Sequence, residues 1–189
     1  MRLSNALSSP AARREIHERV ISMKAYQSED GLYEIEARLV DTKPFAFQRI
    51  SLPDPLPPGE PLHDLSLRLT VDRDYVVRAV EASSDATPYS LCKETESTLS
   101  VLVGDRIASG WSSTVKTKLR GAASCTHLME MLIPMGTTAF QGINGVQREG
   151  QTTVDTSKVP VQVDSCYSYA KHRSVIQRYW PQHYQPDSE

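Results

Sequence analysis

The amino-acid sequence predicts an α+β domain: an antiparallel β-sheet with helices packed on one face. Three observations predict it. Apolar and polar residues alternate in several stretches of the first half of the chain. Beyond Pro88 the apolar spacing lengthens to that of helices. Strands come first and helices after, and this order favours antiparallel pairing with the helices gathered on one side.

The clearest strand is "LYEIEARLVDTKPF". Tyr33, Ile35, Ala37 and Leu39 share one face, and Glu34, Glu36 and Arg38 share the other. Asp30–Gly31 before it is a turn signal. The proline cluster Leu52–Pro61 stops regular structure after it. In "LHDLSLRLTVD", Leu65, Leu67, Leu69 and Val71 point one way and Asp64, Ser66, Arg68 and Thr70 the other. Asp72–Asp74 turns the chain, and the Val-rich "YVVRAVEAS" returns as a third strand. Strands this close in sequence pair as antiparallel hairpins. The earlier segment Arg13–Asp30 carries Ile16, Val20, Ile21 and Met23. It is compatible with a short helix and with an extended lead-in.

Three helices follow. Cys92, Thr95, Leu99, Leu102 and Val103 make one helical face, with Gly104 as the stop. Asp105 is placed to cap a second helix with Ile107, Trp111, Val115 and Leu119 inward and Gly121 at its end. A third is expected from Cys125 to about Phe140, with Leu128, Met131, Leu132, Met135 and Ala139 inward and a kink at Pro134. Ser124 is its expected N-cap. Residues 13–142 therefore form the expected domain. Residues 143–189 are expected as a polar loop and C-terminal tail, either packed back or exchanged in a homodimer.

Composition narrows the function classes. The 189 residues carry a net charge of −2, so no basic surplus exists to neutralise a phosphate backbone, and no nucleic-acid partner is expected. No window approaches the roughly 20 apolar residues of a membrane span, and the first residues lack a signal-type apolar run. The expectation is a soluble, cytoplasmic protein. Cys92, Cys125 and Cys166 are odd in number and widely spaced, which suits a reducing compartment. No CxxC pair supports a zinc knuckle.

Polar corners carry what chemistry the sequence offers. In "GAASCTHLME", Cys125, Thr126 and His127 fall in the first turn of the expected third helix. Free backbone N–H groups there favour negative charge, so the thiol should ionise more readily than usual. Residues two apart in a helix point roughly 200° apart. Cys125 and His127 can hold one ion only if Cys125 precedes the helix in extended geometry. A small buried Cys125 beside a capping His127 is the plainer reading. In "PLHDL", His63 shares the face of Leu65 and Leu67, and Asp64 takes the opposite face beside Arg68. An inward histidine at a strand mouth is a ligand, a general base or a hydrogen-bonded core residue. In "DTKPF", Asp41 and Lys43 end a strand, where a solvated turn is the default and a substrate carboxylate is the sharper reading. His17, among Glu15, Glu18 and Arg19, reads equally well as part of a charged surface.

Taken in order, "EDGLYEIEARLVDTKPF", "PLHDLSLRLTVD", "TPYSLC" and "CTHLMEM" resemble the bacterial family of unknown function DUF2889, over roughly His17 to Gln141. The resemblance implies no activity. The family's pattern falls on His17, Asp30, Gly31, Arg38, Asp41, Lys43, His63, Asp64, Cys92, Cys125, Thr126, His127 and Leu128. Where the family has a glycine before Cys-Thr-His-Leu, this chain has Ser124, which lacks glycine's freedom to take positive φ. "CTHL" also resembles a segment of the aspartate/glutamate racemases. Those enzymes set two cysteines face to face in repeated parallel units, and no such repeat is present here.

The leading expectation is an enzyme acting on a small molecule, with His63, Cys125 and His127 meeting as catalytic groups. One imidazole moves a proton, Cys125 is nucleophile or ligand, and Arg38 or Lys43, with Asp41, binds an anionic substrate. In a variant, His63, Cys125 and His127 hold a divalent ion, with His17 or Asp41 completing a set that suits zinc or iron. The alternatives are a ligand- or metal-binding accessory protein and a structural or oligomerisation domain.

Overall fold

The computed structural model describes residues 12–149, 160 and 162–186. Four strands, β1 (Glu18–Gln27), β2 (Tyr33–Thr42), β3 (Pro61–Val71) and β4 (Val77–Ala86), pair in sequence order as an antiparallel sheet. A 3-10 helix (Ser90–Leu102), α1 (Trp111–Leu119) and α2 (Thr126–Gln147) follow. The chain is a mixed α+β fold, as its alternation and element order predict.

The expected alternation appears as a ladder. Across β2 and β3 the core-facing pairs run Tyr33–Val71, Ile35–Leu69, Ala37–Leu67 and Leu39–Leu65, all buried. The next pair on the same face is Asp41–His63. Four apolar rungs thus end in a carboxylate–imidazole rung. On the opposite face Arg68 meets Glu36 at 2.8 Å and Glu81 at 3.3 Å. Gly31, at φ +83°, closes the turn between β1 and β2, a conformation that glycine adopts without steric cost.

β1 resolves the undecided segment as a strand, paired with β2 along its whole length. Its side chains are exposed except for half-buried Met23, so its own sequence shows no buried face.

The helical half departs from expectation in three places. The segment after Pro88 winds as a 3-10 helix, with Leu99 and Leu102 buried and Val103 exposed. Asp105 does not cap α1. Its carboxylate takes Lys118 at 2.7 Å, and Gly110, at φ +93°, precedes the first turn. α2 starts one residue later than expected and runs on to Gln147, through Pro134, because Ile143 adds another buried turn.

α2 lies across β1, β2 and β3 and buries Leu128, Met131, Leu132, Met135, Ala139 and Ile143 against the ladder. Each of the leucine, methionine and isoleucine side chains contributes roughly 1.5–3 kcal/mol on burial. α1 crosses α2 closely. The Trp111 indole N–H donates to the Leu132 carbonyl at 2.8 Å, and a Cβ at Gly136 would meet that indole at 2.5 Å. Only glycine fits there. This packing seats α2 with its N-terminus over the Asp41–His63 rung.

The chain divides into two compact units after Gln147. In the second, α3 (Ser174–Tyr179) buries Ile176, and Trp180 meets the rings of Tyr169 and Tyr179 at 6.1 and 6.2 Å. Among the described residues, no helix is long and apolar enough to cross a membrane.

Candidate functional site

One row of the sheet supplies most of the site. Arg19 on β1, Asp41 on β2 and His63 on β3 are register neighbours. All three therefore project from the face that α2 covers. Asp41 is 1% exposed. Arg19 grips it with two parallel bonds, Nε to Oδ1 at 2.7 Å and Nη2 to Oδ2 at 2.8 Å. His63 Nδ1 lies 3.0 Å from Oδ2, and His17 Nε2 lies 3.3 Å from Oδ1. From the start of α2, His127 brings Nε2 to 3.9 Å from Oδ2. The His63 and His127 rings are 4.1 Å apart, tilted by 39°. Glu130, one turn further along α2, reaches Arg19 at 3.5 Å.

One buried carboxylate is thus ringed by a guanidinium and three imidazoles. Burial alone would raise the Asp41 carboxyl, but the Arg19 hydrogen bonds and charge, with help from His63 and His17, hold it below the ordinary carboxylate value. Burial and the neighbouring His127 push the His63 imidazole below its ordinary value, against the opposing pull of Asp41. Its side chain is only 12% exposed, so little water is left to solvate the charged form.

Cys125 sits just before α2, at the cap position expected for Ser124. Its carbonyl accepts the first helical bond, from Met129 N–H at 3.0 Å. Ser124 is extended, at φ −164°, a conformation open to any residue, and its hydroxyl accepts from Thr98 at 2.8 Å. Serine in place of glycine therefore costs nothing here. The Cys125 sulfur lies 3.8 Å from His127 Nδ1. Burial opposes its ionisation, but the His127 side chain and the N–H groups of Leu128 and His127 outweigh it, and the thiol falls below its ordinary value.

His17, Asp41, His63, Cys125 and His127 are therefore brought together from segments far apart in sequence. Arg38 is not among them. It projects from the other face of β2 and binds Asp64 at 2.8 and 2.6 Å. Asp64 lies on the face of Arg68, as its alternation predicts, and its ion-pair partner is Arg38 across the strands. Lys43 stands between aromatic rings, 5.7 Å from the centre of Phe45 and 5.0 Å from that of Phe47. Arg19 and Glu130 were missed. Reading "ERVISMKAY" as a strand opposite β2 would have set Arg19 against Asp41.

A nitrogen of His63, a nitrogen of His127 and an oxygen of Asp41 all lie within 4.8 Å of one another. Two imidazoles and a carboxylate are a donor set that zinc and iron both accept. Bonds of about 2.0–2.2 Å set neighbouring ligand atoms about 3.0–3.5 Å apart. The His63–Asp41 separation of 3.0 Å already meets this, and the 3.9 Å to the half-buried His127 exceeds it by about 0.4 Å.

No curated protein and no solved structure matches the chain. A protein-family model described as "Protein of unknown function (DUF2889)" matches residues 17–141, a span that holds every residue of the cluster. With well over half of its length matched, the chain belongs to the DUF2889 family.

Proposed function

We propose that the protein is a cytoplasmic small-molecule enzyme whose centre is a divalent metal ion held by Asp41, His63 and His127. One observation carries this reading: three metal-ligating atoms from β2, β3 and α2 converge within 4.8 Å. Three protein ligands leave positions open for water and a substrate oxygen, the arrangement of catalytic rather than structural sites. Arg19 orients the carboxylate and offsets its charge, as outer-shell partners do. Lys43 is the cation left to meet an anionic substrate group, since Arg38 is committed on the far face. Free Cys92, Cys125 and Cys166 fit a reducing cytoplasm.

The two nitrogens of His127 face different partners, Nδ1 toward Cys125 and Nε2 toward Asp41. One imidazole cannot give both nitrogens to a single ion. With Nε2 on the metal, Cys125 stands behind His127 as its hydrogen-bond partner. The same line of Cys125, His127 and Asp41 supports a second reading without metal, in which His127 takes the thiol proton and Asp41 steadies the imidazolium. Elemental analysis of the purified full chain separates the two. Near-stoichiometric zinc or iron, lost in His63→Ala and retained in Cys125→Ser, supports the metal centre. A metal-free protein that alkylates at Cys125, with the rate reduced in His127→Ala, supports the thiol reading and removes the metal one. An accessory role follows if the metal binds but no substrate exchanges its water ligands.

A further inference from the structure

The two edges of the sheet are finished differently. The edge of β4 is covered where the strand begins: Val77 N–H donates to the Asp105 carbonyl, Gly104 N–H to the Val77 carbonyl and Ile107 N–H to the Tyr75 carbonyl. β1 is the opposite edge, and among the described residues nothing pairs with its outer side. Ten residues at about 3.4 Å each give roughly 34 Å of open backbone donors and acceptors. Natural edges of this length are normally blunted by proline, a bulge or a covering segment. β1 contains no proline and pairs with β2 without a register shift. It also gathers exposed apolar side chains, with Val20 51%, Ile21 43% and Tyr26 45% exposed, and Ile16 just before it 64%.

We propose that β1 is a homodimer interface, pairing antiparallel with β1 of a second copy to continue the sheet across a two-fold axis through Ile21. The charges choose the register. β1 has three charged residues, Glu18, Arg19 and Lys24. With Ile21 facing itself, Glu18 of each copy lies opposite Lys24 of the other, so the axis generates two complementary pairs. Ile16 then meets Tyr26, and Val20 meets Ser22. An axis through Val20 sets Glu18 opposite Ser22 and Lys24 opposite Ile16, and one through Ser22 sets Glu18 opposite Tyr26 and Lys24 opposite Val20, so both pairings are lost. Among the described residues no ion pair engages Glu18 or Lys24 within the chain. The charges that would deter an unrelated strand thus admit this one. The same register sets Ala25 of the second copy opposite His17, so the partner walls the open flank of the histidine cluster.

The test is a charge exchange on the full chain, read by sedimentation velocity across a concentration series. A dimer is expected for the wild type. Glu18→Lys and Lys24→Glu should each weaken it by about tenfold or more, because each sets like charges opposite one another twice. The double exchange Glu18→Lys/Lys24→Glu should restore it. Both positions are exposed, and circular dichroism confirms that the variants fold. In a Cys92→Ser/Cys125→Ser/Cys166→Ser background, Ile21→Cys should cross-link to itself through a short thiol reagent, whereas Ala25→Cys should not. A wild type that stays monomeric, a dimer indifferent to the single reversals, or cross-linking at 25 and not at 21 overturns the proposal. Metal content is not part of this readout, so the interface and the metal centre stand or fall separately.

Discussion

Asp41 and Asp64 are near neighbours with opposite fates. Both sit at the same end of the sheet, both are gripped by two nitrogens of an arginine from the adjacent strand, and both carboxyls are held below their ordinary value. They differ in face. Asp64 looks out, and its Arg38 side chain is 59% exposed. The Arg38 hydrogen bond is the largest cause of its lowering, and water screens the pair. Asp41 looks in, under the start of α2, and gathers three imidazoles besides Arg19. An arginine–carboxylate pair therefore marks no site by itself. Asp64 is also largely buried, at 9% exposed; what distinguishes Asp41, at 1%, is its place under α2 with an excess of nitrogen donors over what one carboxylate needs.

The strongest way to break this contrast is metal content. Asp41→Asn and His63→Ala should each take bound metal from about one ion per chain to below roughly a tenth, since losing even a ligand's supporting partner costs about 10–100-fold in affinity. Asp64→Asn should leave it unchanged. Elemental analysis of all three alongside wild type decides, and equal losses would erase the distinction.

Stability comes next. Arg19→Met leaves a buried carboxylate without its main partner and should cost about 2–3 kcal/mol in urea denaturation. That is below the 3–5 of a fully buried pair, because Arg19 is one-third exposed and histidines stand nearby. Adding Asp41→Asn should recover most of the loss. Arg38→Met should fall within the scatter of ordinary surface substitutions.

The pH dependence sharpens the comparison further. In chelator-treated protein, His63 has a lower pKa folded than unfolded, so the unfolded chain binds more protons in the interval between the two. Its contribution to stability is complete above about pH 6.5 and is lost as pH falls from there toward the folded value, with a slope of at most about 1.4 kcal/mol per pH unit. His63→Gln should flatten this interval. Asp64→Asn should not touch it, since a depressed carboxyl acts only below about pH 4.

The smallest effect concerns the thiol. Alkylation of Cys125 should reach half its maximal rate below about pH 8.5, and His127→Ala should move that midpoint upward. A midpoint indifferent to His127 would detach Cys125 from the cluster.

Much of this was legible in advance. His63 was assigned to the core face because it continues the alternation of Leu65 and Leu67, and there it lies, on the face under α2 and beside Asp41. Asp41 obeys the same rule on β2, yet a strand-end aspartate reads first as a turn former. Cys125 and His127 were placed at a helix start, one residue from where α2 begins. β1 was not legible, because an edge strand exposed on both sides has no buried face to impose a period. Arg19 was missed with it.

The sequence by itself determined which residues face inward on β2 and β3, the side on which the helices pack and the family to which the chain belongs. These follow from local periodicity and motif order, which each segment carries without reference to the rest. Only the tertiary structure decided that β1 is a strand, that Arg19 answers Asp41, and that His127 turns one nitrogen to a thiol and the other to a carboxylate. Those depend on pairing and burial between segments up to a hundred residues apart, where the cost of a buried charge is set by whatever the fold brings beside it.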